Sequence, residues 1–374
     1  MRLLQRERAD LERYLPGLDG RLAEIPLAEL ERPGSPGPNM FRDAGGPGLV
    51  IPAELEGLGA DAVAAVRVQR ALGSRSPSLA VATTMHHFSV SSLALVAEDA
   101  GNEWLLLEAV ATQGLLVASG FAEGRPDGRI LAPTMTATVT PEGLRVSGVK
   151  RPCSLARSMD LLTASVVVPG SGGDQLGVAL IPATDPGVTV TPFWSSFALA
   201  GAESDQVTIE NVLVPSDLVI LTGPVDGAGL DEIQIMGFVW FELLMTASYL
   251  GAATALVERA LGMDRVSDSE KLRLVIAVEA AMAGVENIAR QVADGHSEQR
   301  LLADVLLVRY AAQDAIAAVV PRAAELLGGL HFLSADDVGY LAAAVNGLGF
   351  HPPARAKMAG PLAEYAAGSP LRIA

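Results

Sequence analysis

Along the first third of the chain, apolar residues recur at intervals of three and four: Leu11 and Leu15, then Ala62, Val63, Val66, Val68 and Leu72, then Leu93, Leu95 and Val96. That period predicts helices. The breaks between them, ERPGSPGPN from Glu31 to Asn39 and DAGGPG from Asp43 to Gly48, carry the Pro and Gly that stop helices and permit positive φ. From about residue 114 to 222 the texture changes to short runs rich in Val, Thr and Ile, such as GLRVSGV, LLTASVVV, LGVALI and DQVTIENVLV. These predict antiparallel strands, and their spacing without intervening helical periods points to a small sandwich or barrel. After about residue 228 the helical period returns and is sustained through three long segments, several of them Ala-rich and apolar round most of their circumference. Inner helices of a closely packed bundle have that character.

The pattern divides the chain into an N-terminal helical domain (1–113), a middle antiparallel β domain (114–222) and a C-terminal helical bundle (223–374). Its 374 residues, 50% of them hydrophobic with a mean hydropathy of +0.34, are enough to bury large cores in two or three domains. No stretch reaches the roughly 18 to 20 uninterrupted apolar residues of a membrane span, and the start MRLLQRERADLERY is charged, unlike a secretory signal. A cytoplasmic location without membrane attachment is therefore expected. A single cysteine excludes an internal disulfide framework, and five scattered histidines offer no zinc-ligand spacing, so no metal site is expected. The net charge of -16 argues against nucleic acid. A phosphate-bearing ligand would have to be met locally, by residues such as Lys150, Arg151 and Arg157 or by helix N-termini. No GxGxxG follows a strand, which leaves a Rossmann nucleotide site without support.

Four segments carry a resemblance. They are LLVASGFAEG (Leu115 to Gly124), GLRVSGVKRPCSLARSMDLLTAS (Gly143 to Ser165), FALAGAESDQVTIENVLVP (Phe197 to Pro215) and AELLGG (Ala324 to Gly329). In order and spacing they resemble the acyl-CoA dehydrogenase family, whose helical domain, β domain and C-terminal four-helix bundle match the three textures. The resemblance implies FAD between the β domain and the bundle. It places main-chain groups of Gly120, Phe121 and Ala122 along the pyrimidine edge, Ser154 near flavin N5 and Pro152 where an aromatic usually packs. It also makes Gly328 and Gly329 the family's cofactor-contacting Gly-Gly turn. A flavin needs such an apolar wall, with polar groups aimed at its edge, because N5 accepts a hydride while the pyrimidine gains negative charge.

Several positions depart from the family's pattern. Ala122 stands where a Thr is usual, and Ala-Glu-Gly replaces Thr-Glu-Pro. An Arg-x-x-Phe-Gly element is missing; MDRVSDSEK (Met263 to Lys271) offers Arg265, which reads as a solvated turn residue. The glutamate that serves as base near the end of the chain in most members is Ala367 here. Some members carry it on the first bundle helix, and Glu242 lies within one residue of that place. Among Trp240, Phe241, Leu243 and Leu244 it is expected either to be buried with a raised pKa, as suits a base, or to point outward between helices. Glu364 is a weaker candidate that reads as an exposed helix residue.

His87, in MHHF, is expected either as a satisfied helix residue or near the acyl pocket. His351, in GFHPPAR, is expected either as a helix-terminal cap or beside the flavin, where some monooxygenases of this fold keep a histidine. Cys153 reads as a buried small hydrophobe rather than a nucleophile, despite its basic neighbours.

The resemblance thus implies a homo-dimeric or homo-tetrameric FAD enzyme that desaturates the Cα–Cβ bond of an acyl thioester on coenzyme A or an acyl carrier protein. Its electrons would pass to an electron-transfer flavoprotein or to oxygen. The missing base and the extra histidines favour a different reading, a flavin-dependent monooxygenase on the same fold. Ala122, Pro152 and the absent Arg-x-x-Phe-Gly support a third, a relative that has lost its flavin.

Overall fold

The computed structural model describes residues 3–97, 103–125, 130–170, 173–224 and 230–373. Helices come first: α1 (Gln5–Tyr14), α2 (Leu18–Ala23), α3 (Leu27–Leu30), α4 (Gly37–Asp43), α5 (Ala62–Arg75), α6 (Pro77–Ala97) and α7 (Glu103–Gln113). The strands follow: β1 (Val117–Gly120), β2 (Thr136–Thr140), β3 (Gly143–Cys153), β4 (Leu161–Val168), β5 (Gln175–Pro182), β6 (Val188–Thr191), β7 (Asp205–Val214) and β8 (Val219–Pro224). Three long helices, α8 (Glu232–Leu261), α9 (Asp268–Ala293) and α10 (Gln299–Leu327), precede α11 (Gly329–Ser334), α12 (Asp336–Ala344) and α13 (Arg355–Ala366).

The strands form one sheet in the order β6-β7-β3-β2-β4-β5-β8, with β1 added beside β4. Most pairings are antiparallel, as the short Val- and Thr-rich runs predict. Two are not: β1 pairs with β4 in parallel, and β2 touches β4 in parallel at Thr136 and Val167. The intervening β2–β3 hairpin supplies the crossover that parallel pairing requires. The sheet is therefore mixed, and it curls on itself: just past β1 the Ala122 carbonyl accepts from the Arg151 N–H of β3, although β1 is paired with β4. A register shift between Lys150 and Cys153 bulges β3 away from β7. Pro152 falls inside that bulge, where its missing N–H costs no ladder hydrogen bond.

Helix α8 starts at a capping box: Asp231 accepts from the Gln234 N–H, and the Gln234 side chain accepts from the Asp231 N–H. Both α6 and α8 have the length and hydropathy of membrane spans, yet 67% and 83% of their apolar windows are buried inside the protein, as in core helices. Two glycines set how closely α8 meets α5. A Cβ on Gly73 would lie 2.0 Å from the Ser248 carbonyl oxygen, and one on Gly251 would lie 2.1 Å from that of Arg70. The backbones thus touch at the crossing, and α5 from the N-terminal region joins α8, α9 and α10 in one helical core. Arg70 locks this junction. It is fully buried and donates to Glu7 on α1, Thr254 on α8 and Glu279 on α9 at 2.7, 3.1 and 2.6 Å.

Candidate active site

A cavity of about 200 Å³ lies where α6, α8 and the sheet converge. From α6 it is walled by Val81, Met85, Phe88 and Ser92, which share one face at spacings of four, three and four. From α8 come Gln234, Gly237, Phe238 and Phe241, again one helical face. The sheet side contributes Ser119, Phe121, Ala122, Pro152, Ser154 and Thr163, while His351 and Pro352 close the wall from the segment after α12. Parallel register sets Ser119 beside Thr163, and the β3 bulge turns Pro152 and Ser154 to the same space. Phe88 is the hub of an aromatic cluster, 6.2 Å from Phe121 and 5.7 Å from Phe241 between ring centroids. Among the described residues no Asp, Glu, Lys or Arg lines the cavity.

Its polarity comes from hydroxyls. Ser154 and Ser204 share a hydrogen bond at 2.9 Å, Ser89 and Thr163 approach at 3.3 Å, and Thr163 donates to the Ala118 carbonyl at 3.1 Å. Pro152 and Trp194 supply apolar surface on the same side, with the indole N–H donating to the Ala198 carbonyl. This combination fits a flat heteroaromatic ring that needs one apolar face and a hydroxyl-lined edge, which is what the isoalloxazine of a flavin requires. Phe121, Ala122, Pro152 and Ser154, all singled out from sequence, are brought together here. Gly120 sits directly behind them; a Cβ there would meet the Lys150 and Leu162 side chains at 3.1 Å.

His351 is the titratable group of this wall. Burial, reinforced by the nearby Arg309 cation, pushes its pKa down to about 3, so the imidazole is neutral. Its Nε2 pairs with the Tyr249 hydroxyl at 2.9 Å, and its carbonyl accepts from Arg309 at 2.6 Å. Tyr249 and Arg309 carry no sequence signal of a site. Each lies within an apolar helical run and looks like a core or surface residue until the fold joins it to a segment far along the chain.

Other sequence candidates lie elsewhere. Glu242 does not face the cavity: it is fully buried and both carboxylate oxygens accept from Arg309, at 2.8 and 2.7 Å. Burial raises its pKa and Arg309 pulls it back, but a carboxylate held in that pair cannot reach a substrate. The helical phase puts its neighbour Phe241 on the wall instead. His87 is also fully buried and away from the cavity, packed edge-on against Phe41 and His86, and burial drives its pKa well down. Gly328 and Gly329 stand beyond the end of α10, outside the cavity wall. There Arg265, exposed in its turn as expected, donates from its guanidinium to the Leu326 and Leu327 carbonyls and so also caps the end of α10. Glu364 is exposed on α13.

The basic residues around Pro152 are each engaged by protein partners. Lys150 is buried against Glu123 at 2.9 Å, Arg157 holds Asp205 at 2.6 Å, and Arg151 donates to Gln206 and stacks over Phe193. Cys153 is buried, and burial pushes its thiol up to about 12, the state of an inert packing residue.

No family model matches the chain. It is 45% identical over 378 aligned residues, spanning 100% of both chains, to isobutylamine N-hydroxylase of Streptomyces viridifaciens. Among solved structures it resembles KijD3 in complex with FMN and dTDP-3-amino-2,3,6-trideoxy-4-keto-3-methyl-D-glucose, with a TM-score of 0.82, 19% identity, and coverage of 98% of this chain and 95% of that one. It also resembles nitrososynthase from Micromonospora carbonacea var. africana, with a TM-score of 0.80, 19% identity, and coverage of 99% and 98%. The full-length relative, the shared fold and the cavity between sheet and helices agree: the chain belongs to the flavin oxidoreductases of the acyl-CoA dehydrogenase fold.

Proposed function

We propose that this protein is a flavin-dependent monooxygenase that hydroxylates the nitrogen of a small primary aliphatic amine. The observation that carries this reading is the 45% identity to isobutylamine N-hydroxylase along the whole of both chains. The cavity supports it. A compact chamber walled by Val81, Met85, Phe238 and Phe241 suits a short branched alkyl group, and among the described residues the polar part of its lining is hydroxyls, an amide, the Trp194 indole and a neutral imidazole.

The chemistry needs the amine as a free base, because the nitrogen lone pair forms the new N–O bond. Moving a cation from water into an apolar enclosure is unfavourable, so the chamber selects the neutral amine before reaction. When bound, reduced flavin would supply the two electrons by which dioxygen gives one oxygen atom to the hydroxylamine and the other to water, with two protons taken up. Phe121, Ala122, Pro152 and Ser154 would hold the ring, and His351 stands on the same wall to donate a hydrogen bond to oxygen. Desaturation of an acyl thioester fits less well, since it requires a carboxylate opposite the flavin and Glu242 is locked to Arg309.

The test is turnover of purified protein with a separate flavin reductase, dioxygen and C3 to C5 amines, each with FAD and with FMN. The expected product is the hydroxylamine carrying one atom of 18O from labelled dioxygen. Flavin reduction by an acyl thioester without oxygen incorporation would restore the dehydrogenase reading, and failure to bind either flavin would restore the reading that flavin has been lost.

A further inference from the structure

Behind His351 is a residue that has no contact with the cavity, yet decides what the imidazole offers to it. Tyr249 sits near the middle of α8 and is almost completely buried, at 1% exposure. Its hydroxyl has one hydrogen-bond partner among the described residues, Nε2 of His351 at 2.9 Å. The approach is close and built in: a Cβ on Gly347 would lie 2.4 Å from the phenol oxygen, so only glycine there leaves the hydroxyl its place.

We infer that Tyr249 is a positioning residue whose phenol donates to Nε2 of His351, fixing the imidazole proton on Nδ1 so that the cavity wall presents an N–H donor. The argument is one of proton counting. A neutral imidazole has one N–H and one lone pair. If Nε2 carried the hydrogen and donated to the tyrosine oxygen, the buried phenol hydrogen would have no acceptor among the described residues. A buried donor left unmade costs more than the slight intrinsic preference of imidazole for the other tautomer. If the phenol donates, its buried hydrogen is satisfied, and the donor without a protein partner among the described residues is Nδ1–H, on a residue that lines the cavity rather than on a phenol enclosed in the core.

The surroundings hold the ring in that state. Arg309 grips the backbone on both sides of the imidazole, donating to the carbonyls of Leu348 at 2.9 Å, His351 at 2.6 Å and Pro352 at 3.3 Å. Its cation disfavours a second proton on the ring. Phe241 meets the imidazole at 72° with centroids 6.1 Å apart and limits its rotation. The outcome is a donor of fixed direction on the wall where oxygen must be stabilised, and it is this use of the donor that rests on the monooxygenase reading.

The experiment is side-chain 15N NMR of the histidines, assigned with His351→Asn, on wild type and Tyr249→Phe, together with turnover and peroxide leakage. In the wild type, His351 is expected as the neutral Nδ1–H tautomer; in Tyr249→Phe its signals move toward the Nε2–H form. Turnover of the variant should fall by about tenfold or more, with KM for the amine within about twofold and more peroxide released per product. A wild-type His351 carrying its proton on Nε2, or charged near neutral pH, would overturn the inference, as would a Tyr249→Phe spectrum and turnover unchanged from wild type. The wild-type spectrum decides the tautomer even if the variant fails to fold. An Nδ1–H tautomer in a protein that oxidises no amine would sink the proposed function and leave the assignment standing.

Discussion

Arg309 on α10 donates to both carboxylate oxygens of Glu242 on α8, with neither side chain exposed, while its other terminal nitrogen holds the carbonyls of Leu348 and His351. One buried cation thus serves two purposes. It neutralises a carboxylate inside the bundle and pins the segment that closes the cavity.

Replacing Glu242 by Gln leaves Arg309 as an uncompensated buried charge, and removing one partner of such a pair costs about 3–5 kcal/mol. The expected result is a large loss of thermal and denaturant stability, with the turnover of the surviving folded protein within about tenfold of wild type. A stable Glu242→Gln protein with abolished turnover would instead mark Glu242 as a base. The double variant Glu242→Leu, Arg309→Met should be more stable than Glu242→Gln, yet poorly active because the carbonyls of Leu348 and His351 lose their clamp.

Gly237 keeps the α8 wall open: a Cβ there already comes within 3.3 Å of Ser92 Oγ. Gly237→Val should push branched methyl groups into the chamber and raise KM for branched amines about tenfold, with less effect on ethylamine or propylamine. A panel of amines of increasing bulk reads this directly; a uniform change across the panel would remove Gly237 from the substrate wall.

The α5–α8 crossing allows no side chain at Gly251. A methyl group there would lie 2.1 Å from a backbone oxygen, and backbone cannot swing aside as a side-chain tip does. Gly251→Ala should cost more than about 3 kcal/mol, or prevent folding altogether, whereas alanine at Gly284, whose Cβ would meet the nearest atom at an ordinary 3.4 Å, should be nearly neutral. Chemical denaturation of the two variants makes the comparison.

His86 is buried with both ring nitrogens engaged, Nδ1 accepting from the Val117 N–H and Nε2 donating to the Pro47 carbonyl. Burial lowers its pKa from 6.5 to about 4. Between those values the unfolded chain binds a proton that the folded one does not, so this contribution is full above about pH 6.5 and lost as pH falls to about 4. Because Glu31, Glu203 and Glu242 have raised pKa values and act in the opposite sense, the difference between wild type and His86→Gln isolates the effect. That stability gap should shrink by about 3 kcal/mol from pH 7 to pH 4. A gap independent of pH would show that His86 does not titrate differently in the folded state.

The sequence by itself determined what depends on local order. The switch from a period of three and four to short Val- and Thr-rich runs, and back, follows from backbone geometry and needs no tertiary context. Pro152, which has no N–H to give a ladder, falls in the β3 bulge that turns Pro152 and Ser154 to the cavity. What only the tertiary structure decided is the pairing of groups far apart in the chain. Glu242 and Phe241 are adjacent, and a rotation of about 100° per residue assigns one to Arg309 and the other to the cavity. Which one goes where is set by how α8 packs between α5, α6 and α10, and the partner arginine is 67 residues away. His351 read equally as a cap or as a site residue, and Tyr249, 102 residues earlier, lies in an apolar helical run with no signal of its own. Their meeting depends on Gly347, Arg309 and the end of α12 converging, which no local pattern encodes, because a buried polar group takes its role from whichever partner the fold brings to it.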